Sequence, residues 1–282
     1  MRTRSTIVVV LAHVALIAVC AMTLYPVLVV VKTALSTSPA LGLSGSPIPE
    51  EVSLDNFRDV VSTTDLDGRW LFGRQLLNSI IVALATTVLG VSLACTAAYA
   101  FSRFAFPGRK WGMTSLLVAQ MFPGVVMAIP LYILLDTLHL LDSLTGLVLV
   151  YSTTSVPFCV WMLKGYFDTI PVDIEQAALV DGASRWTIFT RIVLPLARPA
   201  LVVTALFSFM TAWNEFILAA TFMGGDSSFT LPVVLQRYVG EYGADWPHFA
   251  AGAILVSIPV MALFFALQRH LVGGLTAGSV KG

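Results

Sequence analysis

Residues 171–195 read PVDIEQAALVDGASRWTIFTRIVLP, and this polar stretch between two apolar runs decides the fold. Asp173, followed three residues later by Gln176, fits a capping box and predicts that a short helix starts here. Gly182 is expected to break that helix, and apolar side chains at helical spacing predict a second helix over 185–194. Two short helices joined at a glycine should therefore project from the rest of the chain.

The projection carries as many acidic as basic residues. Pro195 and Pro199 are expected to end its second helix before the next apolar run begins. Residues 164–199 hold four basic and four acidic side chains. An amphipathic helix that rests on a lipid surface is normally basic, so this balance favours a soluble protein partner over the lipid surface.

Apolar residues dominate the 282-residue chain as a whole. Hydrophobic residues make up 57% and charged residues 11%, with a formal net charge of zero and a mean hydropathy of +0.86. This composition excludes a disordered chain, a basic nucleic-acid-binding protein and an ordinary soluble enzyme. It predicts an integral membrane protein whose surroundings are a lipid bilayer, with no nucleic-acid partner.

Six stretches are long and apolar enough to cross a bilayer as helices, which takes about 20 residues each. They are residues 7–31, 79–101, 111–135, 144–163, 200–222 and 249–271. The first follows Arg2 and Arg4, as in a signal peptide, but its apolar run is too long, so we interpret it as an uncleaved anchor. The predicted fold is all-α, with six transmembrane helices in a single domain over 1–282.

The placement of basic residues predicts the orientation in the membrane. Six spans put both termini on one side, and eleven of the 16 Lys and Arg residues lie on that side. An excess of Lys and Arg marks the cytoplasmic side, so both termini are expected there. Residues 32–77 and 224–248 then form outer loops, while 164–199 and the tail 272–282 are cytoplasmic. A multi-pass location in a membrane that borders the cytoplasm follows.

The chain lacks the usual signatures of catalysis. No Gly-Lys dipeptide occurs, so there is no phosphate-binding loop for ATP. The four histidines are scattered over different segments, and the cysteines form no CxxC pair, so no metal site is expected. The cysteines, expected to be buried apolar thiols, are Cys20, Cys95 and Cys159. ATP-driven work would have to come from another polypeptide.

A polar stripe runs along the fifth predicted span. Thr204, Ser208, Thr211 and Glu215 follow at steps of four, three and four, so they share one helix face, and Asn214 lies beside the last. A carboxylate within a span normally faces a bundle interior or a wet cavity. The stripe is therefore a candidate lining of a translocation pathway. Hydrogen bonding between helices, with Glu215 near the outer interface, is the alternative.

Two further features stand out. Gln120, Pro123-Gly124 and Pro130 predict an irregular helix in the third span, whose freed backbone groups need protein or water partners. The second outer loop carries an aromatic cluster of Tyr238, Tyr242 and Trp246. Long loops of this kind are often functional, although a passive cap over the helix ends is the alternative.

The projection resembles the EAA loop of bacterial ABC-importer permeases, whose pattern is EAA, three residues, Gly, nine residues and I-x-L-P. Both spacings are present here, but Gln176 stands where the family has Glu, and Glu175 precedes it. In the family this loop docks into a cleft on the nucleotide-binding subunit. The resemblance therefore implies an ATPase-coupling role for Glu175, Gln176, Ala177, Ala178, Asp181, Gly182, Ile192, Leu194 and Pro195.

Other motifs narrow the resemblance. Residues 77–79 and 98–110 are similar to the carbohydrate-importer branch, and the tail 268–282 is similar to that of MalG-type maltose/maltodextrin permeases. The resemblance implies one half of a sugar pathway, with no cofactor in this chain. Its expected partners are a second, MalF-like permease, a MalK-like ATPase homodimer that binds ATP and Mg, and an extracytoplasmic sugar-binding protein.

The resemblance also implies which residues contact the partner subunits, and it leaves the identity of the cargo open. Tyr238, Tyr242 and Trp246 are expected to touch the binding protein, and the glycine-rich tail to reach the ATPase. The tail candidates are Gly278, Lys281 and Gly282. Trehalose, a plant oligosaccharide or glycerol phosphate is an alternative cargo for the same architecture. An autonomous secondary transporter or channel would be expected to show an inverted repeat or paired membrane charges, and neither is evident.

Overall fold

The computed structural model describes residues 2–37, 51–240 and 243–277, with the backbone alone at 2–5 and 269–277. These residues are mostly helical. The helices are α1 Arg2–Leu35, α2 Asp55–Ser62, α3 Leu71–Arg103, α4 Arg109–Met121, α5 Gly124–Thr137, α6 Leu144–Phe167, α7 Val172–Val180, α8 Arg185–Ile188, α9 Leu194–Leu196, α10 Arg198–Asn214, α11 Ile217–Phe222, α12 Leu231–Arg237 and α13 Trp246–Ala277. A π-helical turn, Phe189–Val193, joins α8 to α9, and strands β1 Val239–Gly240 and β2 Gly243–Ala244 pair antiparallel.

Four of the described helices, α1, α3, α6 and α13, are each long and apolar enough to cross a membrane. The third predicted span is broken, because α4 and α5 meet at an angle of 102°. Pro123 occupies the N-cap of α5, and a proline donates no backbone hydrogen bond, so the expected irregular helix is confirmed. The described residues hold up to six spans if each bent helix pair is one span.

One predicted helix is interrupted in the structure. The fifth span, 200–222, is not one helix, because α10 ends at Asn214 and α11 begins only at Ile217. The second helix of the projection passes through the π-helical turn and ends at Leu196, between Pro195 and Pro199 and before the next helix begins, as expected. The π-helical turn lies just before Pro195, which cannot donate to a preceding carbonyl. The last helix, Trp246–Ala277, contains the whole predicted span 249–271.

The chain divides into two compact units. The first consists of Met1–Phe72 and Val234–Ile258. Within it, the Asn56 side-chain amide donates to the carbonyls of Ala34 and Ser36, both at 2.9 Å, and so holds the C-terminus of α1 against α2. Among the described residues, the apolar window of α1 holds no buried side chain, and Cys20 on it is exposed rather than buried as expected.

The second unit consists of Gly73–Val233 and Pro259–Gly282. Its α6 is packed by α4 on one side and α10 on another. A core of buried side chains joins α3 and α6 to the segment after Gly182, and the buried Cys95 and Cys159 belong to it, as expected. This core places the projection directly on the ends of two long apolar helices.

Candidate functional site

The first helix of the projection, α7, starts two residues earlier than a capping box with Asp173 as the N-cap would place it. Pro171 occupies the N-cap of α7, Asp173 lies in the first turn, and no side chain caps the helix. The predicted capping box between Asp173 and Gln176 is therefore wrong. A proline suits a helix start because its φ angle is already near the helical value and its missing N–H would have no partner there. The negative charge of Asp173 in the first turn still interacts favourably with the dipole of α7.

Gly182 ends α7 as expected. Its φ of +85° lies in the left-handed region, which residues with a side chain rarely adopt. The amide of Gly182 donates to the carbonyl of Leu179, and the amide of Ala183 to that of Ala178. A Cβ at Gly182 would meet nothing within 4 Å, so the backbone conformation, rather than a lack of space, requires glycine. Ser184 then caps α8 by accepting from Thr187.

Glu175 points into the protein. Its side chain is 2% exposed, and Oε1 forms an ion pair of 2.5 Å with Nε of Arg103, whose side chain is 6% exposed. The hydroxyl of Tyr99 donates to the other carboxylate oxygen at 2.9 Å. The carboxylate of Glu175 therefore cannot contact another subunit in this conformation. Any coupling role of Glu175 must act through Arg103 and Tyr99 on α3.

Arg103 binds a third element as well. Its Nη2 donates to the carbonyls of Phe167 at 2.8 Å and Ile170 at 3.0 Å, just where α6 ends. Unpaired carbonyls at a helix C-terminus attract a cation, so the guanidinium satisfies them while it holds Glu175. We name the Tyr99, Arg103 and Glu175 group with these two carbonyls the loop clamp. It joins α3, α6 and α7 at one buried point.

A second, more exposed pair lies beside the loop clamp. Asp168 accepts hydrogen bonds from Ser102 at 2.6 Å and from Lys164 at 2.5 Å. Burial on its own would raise the pKa of Asp168, but the bonds from Lys164 and Ser102 outweigh it and hold that pKa below its usual range. Asp168 therefore stays ionised near neutral pH and adds to the link between α3 and α6.

The outer face of the projection is both apolar and acidic. The exposed motif residues are Gln176, Ala177, Asp181, Gly182 and Pro195. Ala178, Ile192 and Leu194 are partly buried and pack on the core below. Val180 is 88% exposed, so an apolar side chain faces outward beside the acidic Asp181. Exposed apolar groups with polar neighbours are typical of protein contacts, and docking here stays a prediction.

The polar stripe of α10 splits between two environments. Thr204 and Ser208 are fully buried, so neither lines an open pathway in this conformation. A Cβ placed on Gly90 of α3 would lie 2.9 Å from Oγ of Ser155 and 3.6 Å from that of Ser208, so these small residues let α3, α6 and α10 approach closely. The stated alternative, hydrogen bonding between helices, is not seen either: the Thr204 hydroxyl donates to the carbonyl of Ala200 in its own helix, and the Ser208 hydroxyl has no hydrogen-bond partner among the described residues.

The rest of the stripe lies at the surface. Thr211 and Asn214 are exposed, and each donates to the carbonyl four residues before it, Phe207 and Met210. Their remaining lone pairs are free to face a pathway, and that role stays a prediction.

Glu215 explains the break between α10 and α11. Its carboxylate accepts from the amides of Leu218 at 2.9 Å and Ala219 at 3.2 Å, which are orphan donors at the start of α11. The hydroxyl of Tyr151 on α6 donates to it at 2.6 Å. The side chain of Glu215 therefore replaces the helical backbone hydrogen bonds, which stop at Asn214. Hydropathy gives no sign of this break.

The outer aromatic cluster lies in the first unit. Tyr238 stacks on His248 with a centroid distance of 5.8 Å, and His248 contacts Asp245 at 2.7 Å and Asp59 at 3.4 Å. Trp246 packs edge-on against Phe249. A cavity of about 660 Å³ opens beside Tyr238 and His248. Tyr242 and the tail residues Gly278, Lys281 and Gly282 lie outside the described residues, and all these contacts stay predictions.

Within the described part of the chain, no group of three or more His, Cys, Asp or Glu side chains could hold a metal ion. Residues 71–276 match the family of binding-protein-dependent transport system inner membrane components. The chain belongs to this family. As one of these inner membrane components it is a non-catalytic permease subunit of an ABC transporter and a multi-pass protein of the cytoplasmic membrane, as the sequence predicts.

Individual members of the inner membrane component family are similar over most of the chain. It is 37% identical over 240 residues to the trehalose transport system permease protein SugB of Mycobacterium tuberculosis, covering 84% of this chain and 85% of SugB. It is 36% identical over 288 aligned positions to the maltose/maltodextrin transport system permease protein MalG of Vibrio vulnificus, covering 96% of this chain and 95% of MalG. The predicted assignment to carbohydrate-type ABC permeases is confirmed.

A solved structure shares the fold of this inner membrane component. A bacterial ABC transporter involved in the import of the acidic polysaccharide alginate matches it with a TM-score of 0.77 and 21% identity, over 94% of this chain and 96% of the other. Sequence reasoning did not foresee the loop clamp or the Tyr151–Glu215 bond. An arginine at the end of an apolar run usually reaches the membrane surface, so nothing local indicated that Arg103 turns inward.

Proposed function

We propose that this chain is the MalG-type permease subunit of a sugar importer and forms half of the pathway for maltose or maltodextrins. A MalF-like second permease forms the other half, and a MalK-like ATPase homodimer binds ATP and Mg beneath them. A sugar-binding protein delivers cargo to the outer face. ATPase closure pulls on the projection and switches the spans between inward-open and outward-open states.

The loop clamp is the observation that carries this proposal. A loop that merely rested on lipid would need no buried charged contact with the spans, whereas a loop that transmits force does. Arg103 and Glu175 connect α7 to α3 and, through the carbonyls of Phe167 and Ile170, to α6. A displacement of α7 therefore carries both long helices with it, because separating buried opposite charges is costly.

The predicted topology completes the proposal. The distribution of Lys and Arg supports six spans with both termini in the cytoplasm. In this arrangement α4 and α5 together cross once as a broken span, and α10 and α11 together cross once as the fifth span. The projection then lies in the cytoplasm, within reach of an ATPase. Tyr238 and Trp246 lie at the outer face, where Tyr238 borders a cavity open to a binding protein.

Maltose or maltodextrin is the preferred cargo because the similarity to MalG extends over 96% of this chain, and because the tail 268–282 resembles the MalG type in sequence. Trehalose is the second candidate, since the identity to SugB is equally high over a shorter stretch. An autonomous secondary transporter is excluded, because the chain belongs to a family of subunits that depend on a binding protein.

Co-purification tests the proposal. The tagged chain is extracted from native membranes in mild detergent, and every accompanying polypeptide is identified by mass. The expected result is an ATPase with a phosphate-binding loop and a second multispan protein. ATP hydrolysis by that complex is then measured with its binding protein and with maltose, maltotriose or trehalose. A chain that is recovered alone and still moves sugar in vesicles would overturn the proposal.

A further inference from the structure

Three buried polar side chains lie near the start of α3, at the opposite end of this helix from the loop clamp. Gln75, Asn78 and Ser79 stand at positions i, i+3 and i+4, so they share one helix face. They are 4%, 7% and 3% exposed. Polar groups buried to this extent normally have hydrogen-bond partners, and all three find them in one segment, residues 226–231.

Two of the three side chains bind carbonyls of this segment. The amide nitrogen of Gln75 donates to the carbonyl of Asp226 at 2.9 Å. The amide nitrogen of Asn78 donates to the carbonyls of Ser227 at 3.0 Å and Phe229 at 3.1 Å. Loop carbonyls that find no partner in a helix or sheet need one elsewhere, and here α3 provides it.

Ser79 binds the end of the same segment. Its hydroxyl accepts from the amide of Leu231 at 2.8 Å, and Leu231 is the first residue of α12. An amide in the first turn of a helix has no acceptor within that helix, so Ser79 supplies one. We name Gln75, Asn78 and Ser79 with the backbone of 226–231 the second clamp.

The loop between α11 and α12 is also fixed at its other end. The carboxylate of Asp142 accepts from the amide of Gly224 at 3.0 Å, and the amide of Asp142 donates to the carbonyl of Phe222 at 2.9 Å. Asp142 stands two residues before α6 begins. This loop therefore joins the starts of α3 and α6, just as the projection joins their ends through the loop clamp.

α3 is suited to connect the two clamps because it is uninterrupted. Of the four long apolar helices that the structure describes, α3 alone has no proline inside, and the others contain Pro26, Pro157 and Pro259. A proline inside a helix removes a backbone hydrogen bond and favours a kink. Asn78 and Arg103 lie 25 residues apart on α3, which is about 37 Å at the helical rise. A displacement at one clamp therefore meets no helix break before the other.

The predicted orientation gives the two clamps different surroundings. It places the loop clamp at the cytoplasmic end of α3 and the second clamp at the outer end. Along the chain, α12 and then the aromatic residues predicted to touch the binding protein follow the second clamp directly.

We propose that Gln75, Asn78 and Ser79 are positioning residues that lock segment 226–231 to α3, so that docking of the loaded binding protein reaches the ATPase through this helix. The proposal rests on the proposed function and adds to it the outer end of the coupling path. It assigns no sugar contact to these three residues.

Asn78→Leu tests the second clamp. Leucine keeps the approximate size of asparagine but has no donor, so the carbonyls of Ser227 and Phe229 lose this partner. Thr87→Val is the matched control on the same helix. It is also close in size to the residue it replaces, and the hydroxyl it removes donates within α3, to the carbonyl of Ala83 at 2.7 Å.

The measurement is ATP hydrolysis with and without the sugar-loaded binding protein, in proteoliposomes that contain each variant with its partner subunits. We expect Asn78→Leu to lower the ratio of stimulated to basal hydrolysis about ten-fold, because two hydrogen bonds between the segment and α3 are lost. Basal hydrolysis and the yield of assembled complex should stay at the wild-type level, since the loop clamp is unchanged. Thr87→Val should match the wild type in all three measurements.

A second pair of variants covers the case in which Asn78→Leu prevents assembly. Ser79→Ala removes the acceptor of Leu231 and should lower the same ratio, whereas Ser79→Thr keeps the hydroxyl and should restore it. A wild-type ratio in Asn78→Leu and Ser79→Ala would overturn the positioning role. Basal and stimulated hydrolysis that fall together, at a constant ratio, would also overturn it and leave the second clamp with a packing role alone.

The wild-type complex separates this proposal from the proposed function. If its ATP hydrolysis does not respond to a binding protein loaded with maltose, maltotriose or trehalose, the proposed function and the second clamp fall together. If the wild type responds and the variants respond equally well, only the second clamp is overturned.

Discussion

At the scale of single residues, burial decides what Glu175 does. The motif places it among the docking residues of the projection, yet its carboxylate lies against Arg103 and Tyr99, more than seventy positions earlier in the chain. In a low-dielectric interior, removing either partner of such an ion pair leaves the other charge buried and uncompensated, which is strongly destabilising. Gln176, at the position of the family's Glu, is exposed and uncharged. Docking on this loop therefore has to rely on the apolar and acidic surface around Val180 and Asp181.

Replacing Glu175 with glutamine should uncouple the transporter. The change leaves Arg103 buried without a counter-charge, and breaking a buried pair in this way costs roughly 3–5 kcal/mol. We expect a lower unfolding temperature of the complex and ATP hydrolysis that no longer depends on the sugar-loaded binding protein. The measurement is the ratio of stimulated to basal hydrolysis, together with thermal unfolding.

Two further variants separate coupling from stability. Asp168→Asn breaks the more exposed pair with Lys164, which is worth at most about 1 kcal/mol, and should leave coupling intact. The double change Arg103→Gln with Glu175→Gln removes both charges, so it should restore stability without restoring coupling. A Glu175→Gln complex that keeps the wild-type stimulation ratio would contradict the role of the loop clamp.

Glu215→Ala should impair transport more than assembly. The change removes the acceptor for two amides at the start of α11 and leaves the buried hydroxyl of Tyr151 without its partner. Loss of a helix cap alone costs about 1 kcal/mol, too little to prevent folding of the complex. Initial uptake rates and the yield of assembled complex are measured together, with Glu215→Gln as the size-matched control. Unchanged uptake kinetics would reduce Glu215 to a structural cap.

At the scale of elements, the breaks between helices matter more than the helices themselves. Pro123 separates α4 from α5, Glu215 separates α10 from α11, and Gly182 separates α7 from α8. Each break has a different cause: a missing donor, a competing side-chain acceptor and a left-handed backbone. Two of them lie within predicted spans, where freed backbone groups have to find protein or water. The third lies in the projection, for which a coupling role is proposed.

Gly182→Leu should abolish uptake while membrane insertion stays normal. A left-handed φ of +85° costs a residue with a side chain about 1–2 kcal/mol. We therefore expect the backbone at position 182 to adopt another φ, which changes the angle between α7 and α8. Uptake is compared with the amount of chain in the membrane fraction. Gly165→Leu is the control, since that glycine lies in α6 without a positive φ. Retained uptake in Gly182→Leu would count against a rigid joint in the coupling loop.

At the scale of the whole molecule, the chain is incomplete without partners. In the part of the chain that the structure describes, the hydrophobic window of α1 has no buried residue, and Val180 and Asp181 of the projection are exposed. A single permease subunit also provides only one wall of a pathway. These open surfaces fit a protein that works only inside a heteromeric complex, as expected for a binding-protein-dependent transporter.

Truncation of the tail tests its predicted contact with the ATPase. Removing residues 278–282 leaves α13 intact to Ala277, whereas removing 273–282 also shortens that helix. If Gly278, Lys281 and Gly282 reach the ATPase, both truncations should lower the amount of ATPase recovered with the chain, or its turnover. The ratio of ATPase to permease after purification is the measurement. Full recovery and full activity after the shorter truncation would contradict the tail contact.

Some features were determined by the sequence alone, because their causes are local. Apolar runs of sufficient length predicted the long helices, and a proline and a glycine at the right places predicted two of the breaks. The spacing of the EAA-like motif indicated the family, since it depends only on residue identity along the chain. Helix capping at Asp173 failed, because a proline two residues earlier already starts the helix.

Other features were decided only by the tertiary structure, and the reason is physical. In a membrane span nearly every residue is apolar, so hydropathy does not reveal which face packs on protein and which faces lipid or water. The burial of Thr204 and Ser208 therefore depends on Gly90 of a distant helix. Arg103 turns inward only because Glu175 and two carbonyls meet it there. Such partners are brought together by packing of distant segments, which no local pattern encodes.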